Sequence, residues 1–130
     1  AEGWQVSGPP ILSTAPLVAS LALFDEAGMA RLRRASLELT GRLASGLADT
    51  VGDEIDIITP LEPHRHGAQL SFRAKRGREA GRQLFERLVG HGVIGDWREP
   101  DIIRMAPAPL YNTREEVDQF VVLVDRLIRA

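Results

Sequence analysis

Ile102-Ile103-Arg104-Met105-Ala106-Pro107-Ala108-Pro109, continuing through Leu110-Tyr111-Asn112 into Thr113-Arg114-Glu115-Glu116, carries a strand, a stiff turn and a helix start in one short stretch. The apolar, β-branched run Ile102 to Met105 reads as a strand, and Pro107 and Pro109 end any regular ladder after it. Thr113 with Glu116 three residues on forms a capping box, in which each side chain takes an amide left orphaned at the helix start. Beyond it, Val117, Phe120, Val121, Val124 and Ile128 fall on one face at helical spacing, so a terminal helix with one apolar stripe is predicted.

Upstream of that stretch, Val93 to Trp97 forms a second compact β-like run, and Leu84, Phe85 and Leu88 place a helix between about Gly77 and His91. The alternation of Ala68, Leu70 and Phe72 with Gln69, Ser71 and Arg73 predicts a half-buried strand. Ile55, Ile57 and Ile58 make a short partner strand closed by Thr59-Pro60. Met29, Leu32, Leu39, Leu43 and Leu47 predict a helix packed on one stripe and stopping near Gly52. Before it, Leu17 to Phe24 reads as a largely buried helix that begins at about Thr14, tolerates Pro16 in its first turn and ends near Gly28. Ser7-Gly8-Pro9-Pro10 is expected to be extended, because each proline disfavours helix in the residue before it. The expected organisation is an extended arm over residues 1–13 and one domain over residues 14–130. The element order predicts an α+β fold, a small mixed sheet covered by helices.

With 130 residues, 44% of them hydrophobic, the chain is long enough to bury a core without staples. It holds no cysteine, which excludes disulfides, thiolate metal sites and a cysteine nucleophile. The formal net charge of −2 supplies no field to recruit nucleic acid or anionic lipid. No apolar run reaches membrane-spanning length and the start carries no signal-like stretch, so a soluble, cytoplasmic protein is expected. The first residue is not Met, which reads as a piece of a longer polypeptide.

Candidate sites are few. His64 and His66 flank one another in a proline-rich loop without a third ligand, too few for a metal site. His91, between Gly90 and Gly92, fits ordinary helix-end capping. Arg73, Lys75, Arg76, Arg78 and Arg82 cluster, but Glu79 interrupts them and no aromatics interleave, so a solvated turn is the favoured reading over a phosphate patch. No glycine-rich phosphate loop or nucleophile elbow is present. Lys75 is the only lysine, and its charged surroundings offer nothing that would desolvate an amine for imine chemistry. Arg104 has two readings: a cation on the wet face of a strand, or a fork that grips a carboxylate through two charge-assisted hydrogen bonds.

Several stretches resemble kynureninases: Ser7-Gly8-Pro9-Pro10-Ile11, Phe24-Asp25-Glu26-Ala27-Gly28-Met29, Ile57-Ile58-Thr59-Pro60 and Gly67-Ala68-Gln69-Leu70-Ser71. Gly92-Val93-Ile94-Gly95-Asp96-Trp97-Arg98 and Ile103 through Asn112 are similar to the family's C-terminal signatures. The resemblance covers essentially the whole chain and about the last third of such an enzyme. It implies the C-terminal small domain of a fold-type-I pyridoxal-phosphate enzyme related to class V aminotransferases, working as a homodimer. The implied reaction is hydrolysis of L-kynurenine to anthranilate and L-alanine, in tryptophan catabolism and NAD biosynthesis. The implied partners are an upstream large domain, which holds the cofactor and its lysine, and a second subunit, with neither nucleic acid nor membrane. By resemblance Arg104 receives the substrate α-carboxylate, while Ser7 and Gly8 border the pocket for the aryl ring and no catalytic residue or cofactor contact lies on this chain. Gly8 stands where the family commonly has Asn, and His66 where it usually has Arg. A non-catalytic α+β binding or dimerisation module, and the small domain of another class V aminotransferase-like enzyme, remain the alternatives.

Overall fold

A computed structural model describes residues 7, 8 and 10–130 of the chain; the rest of the expected arm lies outside the described residues. The chain divides into two units, residues 1–32 and 33–130.

In the first unit, helix α1 spans Ile11–Ala27. It begins three residues before the expected Thr14, because the amides of Ser13 and Thr14 and the Thr14 hydroxyl all donate to the carbonyl of Pro10. The arm expected over residues 1–13 is thus helical from Ile11 onward, and Pro16 falls inside the helix rather than in its first turn. Gly28 ends α1 with φ of 80°, a conformation that suits a residue without Cβ, and its amide donates to the Phe24 carbonyl at 2.8 Å. The expected burial of α1 is not found: no residue in it is buried, and Leu17, Val18 and Leu21 are each more than half exposed. Met29, expected on the buried stripe of the next helix, is likewise exposed.

Helix α2 spans Met29–Val51, and its later part opens the second unit. Strands β1 (Ile55–Ile57) and β2 (Leu70–Ala74), helix α3 (Arg78–Gly90), strands β3 (Asp96–Arg98) and β4 (Ile102–Met105) and helix α4 (Arg114–Arg129) follow. The four strands form one sheet in the order β1-β2-β4-β3, and every neighbouring pair is antiparallel. The fold is α+β as expected, but the sheet is antiparallel throughout rather than mixed. Strands β2 and β3, joined through α3, run in the same direction, but β4 lies between them and pairs antiparallel with both, so no parallel pair forms.

Alternation along the strands separates the two faces. Leu70, Phe72, Ile103 and Met105 point to one side and join Leu43, Leu47 and Val51 of α2, Leu84 and Leu88 of α3, and Val121 and Val124 of α4 in a single core. Phe72, Leu70, Ile103, Leu47 and Val124 are fully buried, and each such side chain contributes roughly 1.5–3 kcal/mol by leaving water. The capping box at the start of α4 is present in full: the Glu116 amide donates to the Thr113 hydroxyl and the Thr113 amide to the Glu116 carboxylate. Between the core-facing sides of α2 and α4, Gly46 lies against Val121. Arg42 of α2 reaches Asp118 of α4 through two hydrogen bonds of 2.5 and 2.6 Å, and Arg114 pairs with Glu38. Among the described residues no single helix is long and apolar enough to cross a membrane.

Candidate functional site

The second face of the sheet is polar because of the same alternation that builds the core. Asp56 and Arg73 face each other across β1 and β2, and Ser71, Arg104 and Asp96 form a row across β2, β4 and β3 in direct register. Arg104 sits at the middle of this row, between buried Ile103 and buried Met105 on its own strand. Its side chain is 29% exposed, lower than the 45% of Asp96 beside it. The Nε–H of Arg104 donates to Oδ2 of Asp96 at 2.6 Å, and its Nη2 contacts the same oxygen. Arg98 adds a further donor to that oxygen at 2.9 Å. These donors, Arg104 first, hold the Asp96 carboxyl below the ordinary carboxylate range. Among the described residues Nη1 of Arg104 makes no hydrogen bond within the chain, so that end of the guanidinium can still take an incoming carboxylate.

On the neighbouring strand, the Ser71 amide donates to the Thr59 hydroxyl at 2.8 Å, which ties the loop after β1 to the edge of β2. The Gln69 side-chain amide donates to the Ser71 hydroxyl at 3.3 Å. The Pro/His loop is pinned from α2, since Arg33 donates to the carbonyls of Pro63 and His66. The His66 ring nitrogen Nδ1 donates to the carbonyl of Gly67 at 2.8 Å, a local contact. Nδ1 of His91 donates to the Arg87 carbonyl one helical turn back, as a helix-end residue would. Among the described residues no group of three or more metal-ligating side chains occurs.

The basic cluster is matched by acids within the chain. Arg73 pairs with Asp56, Arg76 with Glu54, Arg82 with Glu86, and Arg78 makes two hydrogen bonds of 3.1 Å to Glu99. Arg82 also lies over the rings of Phe85 and Trp97, with its guanidinium carbon 5.4 Å from the Trp97 centroid. Lys75, the lone lysine, donates to the Gly52 carbonyl at 2.6 Å and lies 4.0 Å from Asp56 on an exposed turn. An ammonium fixed between a carbonyl and a carboxylate in water does not suit the attachment of an aldehyde cofactor, so the residues of this chain do not fit pyridoxal phosphate by themselves. Ser7 and Gly8 belong to the first unit and are exposed; the Ser7 hydroxyl donates only to the Gly8 carbonyl, and nothing lies within 4 Å of a Cβ built on Gly8.

A groove of about 550 Å³ opens elsewhere, lined by Leu43, Val93, Ile94, Met105, Tyr111 and Phe120 among others. Its one carboxylate, Glu116, is held by the helix cap and by Asn112, and His91 and Gln119 are further polar residues on its wall. The open sheet face at Arg104 offers a charged, directional group instead, with one end of its guanidinium unengaged among the described residues. Asp96 is the member of that site to which the sequence assigns no role. Its position in Gly95-Asp96-Trp97 gives no clue until β3 is known to pair with β4 in the register that sets it opposite Arg104.

Comparison with family models matches residues 32–124 to the kynureninase C-terminal domain. The chain belongs to that family. The kynureninase of Stenotrophomonas maltophilia is 58% identical over 125 residues, covering 96% of this chain and 30% of that protein. The kynureninase of Xanthomonas axonopodis pv. citri is 56% identical over the same length and shares. This kynureninase C-terminal domain thus spans about 30% of the length of the curated relatives it matches. Among solved structures, the crystal structure of Oryza sativa TDC with PLP and tryptamine aligns with a TM-score of 0.60 at 19% identity, covering 82% of this chain and 25% of that one. That likeness is one of fold.

Proposed function

We propose that the kynureninase C-terminal domain described here supplies the substrate-carboxylate grip of an enzyme that hydrolyses L-kynurenine to anthranilate and L-alanine. In this reading pyridoxal phosphate and its attachment lysine belong to the portion of the protein outside this chain, in keeping with the surface position of Lys75. The observation that carries the proposal is the Arg104 guanidinium. It stands on the uncovered face of the sheet, is fixed along one edge by Asp96, and has its Nη1 end free of partners among the described residues. A planar fork held in this way can take both oxygens of an amino acid's carboxylate and set the orientation of the rest of the molecule. The remaining large domain and a second subunit would complete the pocket.

The test is anthranilate release by the full-length enzyme carrying Arg104→Ala or Arg104→Lys. Two charge-assisted hydrogen bonds at roughly 1.5–3 kcal/mol each predict a loss in kcat/KM of about 100-fold or more for Arg104→Ala. Lysine keeps the charge but not the fork, so Arg104→Lys recovers little. Wild-type kinetics in Arg104→Ala would remove Arg104 from the site, and pyruvate or sulfide release without anthranilate would point to a different reaction on the same architecture.

A further inference from the structure

The carboxylate grip uses one end of the Arg104 guanidinium, while Asp96 holds its other edge. A guanidinium has two edges able to hold a carboxylate in parallel: the side edge of Nε and Nη2, and the end formed by Nη1 and Nη2. Asp96 occupies the side edge, with Nε at 2.6 Å and Nη2 on the same oxygen. Asp96 is itself well placed to act as a fixed support. It lies directly opposite Arg104 in the β3–β4 pairing, and Arg98 holds the same oxygen from the next turn of the pleat. The strands on either side are anchored by Ile103 and Met105 in the core and by Trp97 against Phe85. A long, four-torsion side chain thereby has one edge tied to the sheet in advance of any ligand.

We infer that Asp96 is a positioning residue for substrate recognition: it locks the side edge of Arg104 so that only the Nη1/Nη2 end is offered to the α-carboxylate, in one orientation. This rests on the reading of Arg104 as the carboxylate receptor. Asp96 also partly neutralises the guanidinium, so its contribution is alignment rather than added attraction. Removing it leaves the charge of Arg104 stronger but its direction unset, which harms the turnover of bound substrate as well as binding. A carbonyl in place of the carboxylate still accepts the Nε–H, so the amide variant retains the alignment.

The experiment uses the full-length holoenzyme with Asp96→Ala, Asp96→Asn, Arg104→Ala and the double variant Asp96→Ala/Arg104→Ala. Steady-state kinetics are measured with kynurenine, and inhibition with 2-aminoacetophenone, an aryl ketone that lacks the amino-acid end. The expected results are a loss in kcat/KM on the order of 10- to 100-fold for Asp96→Ala, expressed in kcat as well as KM, and recovery to within a few fold in Asp96→Asn. Inhibition by 2-aminoacetophenone stays unchanged in both, and Asp96→Ala adds nothing once Arg104 is gone. Should Asp96→Ala not assemble, Asp96→Ser removes the reach of the acceptor while keeping a polar side chain on the open face. The inference is overturned if Arg104→Ala is impaired while Asp96→Ala or Asp96→Ser is not. It is also overturned if the inhibitor weakens in parallel with kynurenine, which is the mark of a general structural role. If Arg104→Ala itself has no effect, the functional reading fails first and the inference falls with it.

Discussion

Replacing Gly46 by alanine tests whether α2 and α4 meet as tightly as the fold requires. In an isolated helix the change stabilises, because alanine exceeds glycine by about 0.8–1 kcal/mol in helix propensity. Here the new Cβ would stand 2.9 Å from Cγ2 and 3.4 Å from Cγ1 of Val121. Carbon atoms rest at about 3.5–4.0 Å, so the nearer contact is roughly 0.6 Å too short. Val121 is 7% exposed and β-branched, which leaves it one preferred rotamer in a helix and nowhere to swing. Relief must come from parting the helices, and overpacking of this kind costs about 1–3 kcal/mol. The net expectation is destabilisation by about 1 kcal/mol. Gly41 on the same helix provides the internal control, since nothing lies within 4 Å of a Cβ built there. Gly41→Ala is therefore expected to stabilise by up to about 1 kcal/mol. Urea denaturation of the 130-residue chain, followed by circular dichroism, measures both. Val121→Ala should cost less in the Gly46→Ala background than alone, by about 1 kcal/mol of coupling. If Gly46→Ala stabilises as much as Gly41→Ala, the two helices do not touch at this point and the packing argument is wrong.

Thr113→Ala should lower stability by about 1 kcal/mol through loss of the cap on α4, measured by the same denaturation series; an unchanged midpoint would mean that the cap is idle. Asp118 is held below its ordinary range by the hydrogen bonds from Arg42, and Glu116 by the Thr113 amide. Groups depressed in the folded state stabilise above their unfolded values and lose that contribution as pH falls through the folded ones. The melting temperature should therefore be flat from neutrality to about pH 5 and decline below about pH 4, and Asp118→Asn should make the decline shallower. Mixed with pyridoxal phosphate, the chain alone should show neither imine absorbance nor anthranilate release, because Lys75 is tied to Gly52 and Asp56 on an exposed turn. Imine absorbance that Lys75→Ala abolishes would be incompatible with that reading.

Local chemistry was readable wherever one residue type settles one local geometry. Strand β4 occupies Ile102–Met105 as its β-branched run implies, and the Thr113–Glu116 pair marks the start of α4. Strand β3 is different: apolarity places it at Val93 to Trp97, yet only Asp96–Arg98 joins the ladder and Ile94 is 98% exposed. Which three residues pair is decided by where β4 lies, and no local signal carries that. Helix α1 fails for a related reason, since hydropathy shows that Leu17, Val18 and Leu21 favour burial but not what would bury them. For the site, an arginine interrupting an apolar strand was visible, whereas its partner Asp96 was not. An ion pair across strands belongs to a register and becomes visible only when the register does.

Register also explains why the candidate site and the core cannot be altered independently. Side chains on a strand alternate faces, so once Ile103 and Met105 are committed to the dry side, Arg104 has to emerge on the other. A slip of β4 by one residue against β2 would drive the guanidinium in among Leu70, Phe72 and Leu88 and lose the contact with Asp96. Burying an unpaired guanidinium costs far more than the burial of one aliphatic side chain returns, so the slipped pairing is strongly disfavoured. The apolar residues that hold the sheet to its helices thus also aim Arg104 at the open face, and the Asp96 pairing fixes the remaining freedom of the side chain once it is there.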